Sequence, residues 1–197
     1  MRKKLFFASI LTSFLIVNSC QENDATKPNI VWLVIEDQSQ YFFPFYGDDT
    51  IELQNINQLL DNGIVYEGMN SPYPVCAPSR SAIITGMYPN SIGTGNQRAY
   101  SYYRAEREEH EKQLGFPFYS SKFAEQIKPF TQILRENGYY TSNNSKEDYN
   151  FKLTKEAWDD SSINASLENR DGSEPFFSVF NFGIRFWALA STILLIF

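Results

Sequence analysis

The sequence predicts an α/β fold, a sheet of parallel strands flanked by helices, and three patterns carry that prediction. Residues 28–35 form a continuous apolar run rich in β-branched side chains, the mark of a strand buried on both faces. Residues 174–182 form a second buried strand of phenylalanines and valine. Between them, stretches of helical period end at glycine or Asn-Gly stops. The chain has 197 residues, 43% of them hydrophobic and 16% aromatic, enough for one packed domain. Its formal net charge of −6 argues against a general nucleic-acid binder.

Arg2, Lys3 and Lys4 precede an apolar stretch, residues 5–17, that is too short to span a bilayer comfortably. It runs into Val17-Asn18-Ser19-Cys20, which resembles a bacterial lipobox. Residues 1–19 are therefore expected to be a lipoprotein signal peptide and Cys20 the lipidated residue, an ordinary signal peptide being the alternative. Residues 20–27 form a polar tether. The expected location is that of an exported bacterial lipoprotein, anchored in a membrane through lipid and facing the periplasm or the cell surface. With one cysteine at the anchor and the other at position 76, no disulfide framework remains.

The first strand ends in Glu36-Asp37, so two carboxylates emerge at its carboxyl end, the edge where open α/β sheets bind ligands. Their hard oxygens suit Ca²⁺ or Mg²⁺ rather than a soft metal. Ile51, Leu53, Ile56, Leu59 and Leu60 approximate a helical stripe closed by Asn62-Gly63, and Ile64-Val65-Tyr66 reads as a second strand. Residues 100–126 read as a surface insertion that carries the sole histidine, His110, as a solvated helix residue. Residues 130–138 read as a helix with an Asn-Gly stop, and Tyr139-Tyr140-Thr141 as a strand that runs into a loop with Lys146.

The most informative string is Cys76-Ala77-Pro78-Ser79-Arg80. Proline suits a first helical position, Ser81-Ala82-Ile83-Ile84-Thr85 continue a helix, Gly86 can cap it and Pro89 prevents its resumption. Cys76 is expected just ahead of that helix N-terminus, where free N–H groups favour negative charge. Arg80 offers a planar donor fork suited to tetrahedral oxyanions.

The same string, followed by Thr85-Gly86-Met87-Tyr88-Pro89, resembles the activation signature of the sulfatase family. The resemblance implies the N-terminal part of an alkaline-phosphatase-like sheet over residues 28–182. It implies that a maturase reads Cys76, Pro78 and Arg80 and oxidises Cys76 to formylglycine, whose hydrate attacks sulfur. Glu36, Asp37 and the modified Cys76 would hold a divalent cation, usually Ca²⁺, with Glu36 departing from the family's usual Asp-Asp pair. Arg80 and Lys146 would contact the formylglycine and the sulfate. The wording around residues 143–150 and 157–162 resembles bacterial proteins close to heparan N-sulfatases and arylsulfatase-type lipoproteins, which implies a sulfated glycan substrate with an ester or N-linked sulfate. A phosphatase or phosphonate hydrolase of the same superfamily, and a non-enzymatic lipid-anchored remnant, are the other readings.

Residues 183–197 depart from the family, which continues here with a Thr-His-Glu-like segment. The tail is expected to be an out-of-frame or truncation product, with a membrane-dipping anchor as the alternative. The resemblance places further metal ligands, a histidine and a second lysine in the family's second half, so this chain is expected to be inactive as it stands, its sheet edges unpaired.

Overall fold

The computed structural model describes residues 26–36, 40–48, 50–96, 104–122, 126–183 and 193–196. Strand β1 spans Ile30–Glu36, two residues shorter at its start than the apolar run and one longer at its end. Helix α1 is Gln54–Asp61, α2 Cys76–Thr85, α3 Arg104–Leu114 and α4 Phe130–Glu136. Strands β2 (Tyr140–Asn144), β3 (Asp160–Ser161), β4 (Phe176–Gly183) and β5 (Ile193–Ile196) complete one sheet in the order β3-β2-β4-β1-β5. The first four are mutually parallel and β5 runs antiparallel to β1. The α/β class and its flanking helices are as the sequence predicts.

One face of the sheet carries Ile30, Trp32 and Val34 of β1 beside Phe177 and Val179 of β4, because alternate residues share a face. Ile84 of α2, Leu134 of α4 and the segment holding Tyr149, Phe151, Leu153, Ala157 and Trp158 pack onto it. Phe177 is its centre, with ring centroids 4.8 Å from Trp32, 5.1 Å from Phe130 and 6.2 Å from Trp158.

Four expectations change. Residues 64–66 form no strand; Ile64 is 81% exposed and Tyr66 70%. The preceding strand, β1, already has both edges paired, by β4 and β5. Strand β2 reaches Asn144 rather than stopping at Thr141, because its polar residues find partners inside the sheet: Ser142 Oγ lies 2.7 Å from Ser178 Oγ, and Asn143 donates to Ser161 Oγ at 3.0 Å. The stripe residues Ile51 and Leu53 precede α1, which buries none of its residues. Finally, residues 193–196 of the apolar tail cover the outer edge of β1, where an unpaired edge was expected.

Residues 1–25, with the expected signal peptide and Cys20, lie outside the described residues. Among the described residues no helix is long and apolar enough to cross a membrane. His110 lies on α3 and is half-buried rather than fully solvated.

Burial pushes the Tyr149 phenol well above the usual tyrosine value, an effect that the Arg80 charge only partly offsets. In the unfolded chain the phenol ionises near pH 10. The folded state holds the proton more tightly, so stability is unaffected below about pH 10 and falls as pH rises above it. Urea midpoints measured from pH 8 to 11 are expected to drop above pH 10, and Tyr149→Phe is expected to flatten that drop.

Candidate functional site

Parallel pairing aims the carboxyl ends of β1, β2 and β4 at one edge of the sheet, the edge predicted to bind ligands. Glu36 is the last residue of β1 and is only 5% exposed. Helix α2 arrives at the same place. Val75 caps it with extended backbone, so Cys76 is the first helical residue rather than one ahead of the helix, and Pro78 is the third. The first intrahelical bond, from Ser79 N to Val75 O at 3.1 Å, begins one residue after Pro78, so the missing proline N–H costs nothing. Gly86, left-handed at φ 67°, closes the helix through its N–H to Ala82 O, as expected. Ala77 to Ser81 are all buried.

Arg80, one turn after Cys76, is 6% exposed and points at the end of β1, its Nε 3.8 Å from Glu36 Oε1. The loop after β2 brings Lys146, whose Nζ bonds the same Glu36 oxygen. Lys146 Nζ also lies 3.6 Å from Asp148 Oδ2. Two cations and two carboxylates thus balance within one cluster, three of the four side chains being less than a tenth exposed. Burying charge on this scale is tolerable only because the charges compensate.

Four of the expected site residues, Glu36, Cys76, Arg80 and Lys146, therefore meet. Pro78 is buried inside α2, and Asp37 lies outside the described residues. Sequence reasoning missed two. Asp148 brings its carboxylate within 4.8 Å of the Glu36 carboxylate and the Cys76 sulfur. Asn181, near the end of β4, accepts a 2.9 Å hydrogen bond from Arg80 Nη1. The available signals were an acid two residues after Lys146 and an amide side chain near the end of a mostly apolar strand.

The donor set fits a hard divalent cation. Two carboxylates converge with position 76, where a thiol would be a poor ligand for such an ion and an oxygen a good one. Arg80 Nε and Nη2 are buried and lack a hydrogen-bond partner among the described residues, so the cluster offers two donors to further oxygen acceptors.

A protein-family model described as Sulfatase matches residues 28–183, most of the chain and all of this cluster. The chain belongs to the sulfatase family. An ulvan-active sulfatase of Formosa agariphila is 38% identical over 193 residues, covering 91% of this chain and 31% of its own length. Iduronate 2-sulfatase of Mus musculus is 29% identical over 144 residues, covering 71% of this chain and 22% of its own. The chain thus spans about a third of the ulvan-active sulfatase and less of the mouse protein. A protein solved in complex with its substrate D-glucosamine-2-N,6-O-disulfate shares the fold. Its TM-score is 0.56 at 18% identity, over 79% of this chain and 34% of that one. Sulfatases as a family are sulfuric ester hydrolases, and the relatives' names point to that class rather than to a phosphatase.

Proposed function

We propose that this chain carries the nucleophile-bearing part of a sulfuric ester hydrolase acting on sulfated glycans, with Cys76 oxidised to formylglycine by a maturase. The convergence of Cys76, Arg80, Lys146 and Glu36 from segments far apart in sequence is the single observation that best supports this reading. In it, Glu36, Asp37 and the oxidised side chain at 76 would hold Ca²⁺ or Mg²⁺, which would supply Lewis-acid polarisation of a sulfate group. Arg80 presents Nε–H and Nη2–H to oxyanion oxygens, and Lys146 supplies a second positive charge within reach of the same group. Burial of Arg80 removes competing water and strengthens those contacts. Ester or N-linked sulfate are both compatible with the described residues. Export and lipidation at Cys20 belong to the same proposal and place the enzyme at a membrane facing external polysaccharide.

The test is mass spectrometry of the peptide spanning position 76, from a host that contains a formylglycine-generating maturase. The peptide is expected to be lighter by the difference between a thiol and an aldehyde, and Arg80→Ala, which removes a recognition residue, is expected to leave it unconverted. An intact thiol in the unsubstituted chain overturns the reading.

A further inference from the structure

The Arg80 guanidinium is anchored on one side only. Its Nη1 donates to Asn181 Oδ1 at 2.9 Å and to the main-chain oxygen of Lys146 at 3.3 Å. The opposite edge, Nε and Nη2, is buried without a hydrogen-bond partner among the described residues, and Nε stands 3.8 Å from Glu36 Oε1, beyond hydrogen-bond reach. That edge carries the two parallel N–H bonds with which a guanidinium grips an oxyanion.

Asn181 has a fixed orientation. Its Nδ2 donates to the main-chain oxygen of Asn144 at 3.2 Å and to Asn143 Oδ1 at 2.9 Å. A main-chain carbonyl can only accept, so the amide nitrogen faces β2 and Oδ1 is turned to Arg80. Asn143, itself buried, donates onward to Ser161 Oγ at 3.0 Å. A directed row of hydrogen bonds therefore crosses three adjacent strands, from Ser161 on β3 through Asn143 on β2 and Asn181 on β4, and ends on Arg80. An amide at its end supplies an acceptor without charge, so it holds the guanidinium without neutralising it. The Glu36 carboxylate, at 3.8 Å, makes no hydrogen bond to it, and Lys146 holds it only through its main-chain oxygen at 3.3 Å, so the 2.9 Å bond to Asn181 is the shortest restraint on Nη1.

We propose that Asn181 is a positioning residue: it fixes the rotation of the Arg80 side chain so that the Nε–Nη2 edge faces the Glu36–Cys76 cluster, ready for an oxyanion. The oxyanion's identity as sulfate rests on the proposed function, but the restraint on Arg80 does not.

The experiment uses the full chain labelled with ¹⁵N-arginine, with Arg80 signals assigned by Arg80→Lys and inorganic sulfate as the probe. Rotation about the Arg80 Cζ–Nη1 bond is expected to be slow. Asn181→Leu is expected to speed it and to weaken sulfate binding by about tenfold, the size expected when one hydrogen bond to a charged group is lost. Asn181→Asp keeps the acceptor, since the Asn143 amide can turn and donate to it, and is expected to restore slow rotation. A role in packing alone would lower stability without altering the Arg80 signals. Asn181→Ser, smaller and polar, replaces the leucine variant if that one does not fold, with the same expectation. Fast rotation in the unsubstituted chain, or slow rotation in the leucine and serine variants, overturns the proposal. Slow rotation released by Asn181→Leu, together with no sulfate binding in any form, supports the positioning role and counts against the sulfate reading.

Discussion

Glu36→Gln is expected to destabilise the fold by about 3 kcal/mol, the lower end of what removing one partner of a buried ion pair costs. Glu36 is the carboxylate that meets both cations, Arg80 at 3.8 Å and Lys146 in direct hydrogen bond. Without its charge the two cations face each other with only Asp148 to balance them. Lys146 is nearly a third exposed and can turn to water, which limits the loss. Arg80 cannot, since its side chain is 7% exposed and tied to Asn181. Urea unfolding followed by circular dichroism measures the change. On the proposed function, calorimetry is also expected to show weaker Ca²⁺ binding in the same variant than in the unsubstituted chain. Unchanged stability would mean that the cluster's charges are not interdependent.

Phe177→Ala is expected to cost about 3–5 kcal/mol, as for other buried rings cut to a methyl. The ring is 1% exposed and touches side chains from β1, α4 and the segment before β3, so no single neighbour can move in to fill the space. Its backbone is also held on both sides, beside Ile30 of β1 and Thr141 of β2. A loss of this size lowers the melting temperature by on the order of 10 °C for a domain of this length. Phe182→Ala, at the half-exposed end of the same strand, serves as the control and is expected to shift it by far less. Equal shifts for the two variants would displace Phe177 from the centre of the core.

The strands at 30–36 and 176–183 were legible because long, mostly apolar runs rich in β-branched or aromatic side chains are the pattern of central parallel strands. The start and stop of α2 were legible within two residues, since proline and glycine act through backbone geometry alone. Residues 64–66 were not, because a strand needs a pairing partner as well as a suitable composition, and β1, the strand before them in sequence, is already paired by β4 and β5. The cluster was legible where a motif carries it, at Cys76 and Arg80. Asp148 and Asn181 carry no local pattern, and their roles come from contacts spanning as much as the 101 residues between Arg80 and Asn181.

The register of the central strands also sets a schedule for synthesis. Ile30 pairs with Phe177, so the ribosome must add nearly 150 residues after β1 before its parallel neighbour exists. At translation speeds of about 5–20 residues per second, the wait is on the order of ten seconds. Throughout it Val31, Trp32, Leu33, Val34 and Ile35 are an open adhesive segment. A holding chaperone acting on the nascent chain would find its most valuable target there.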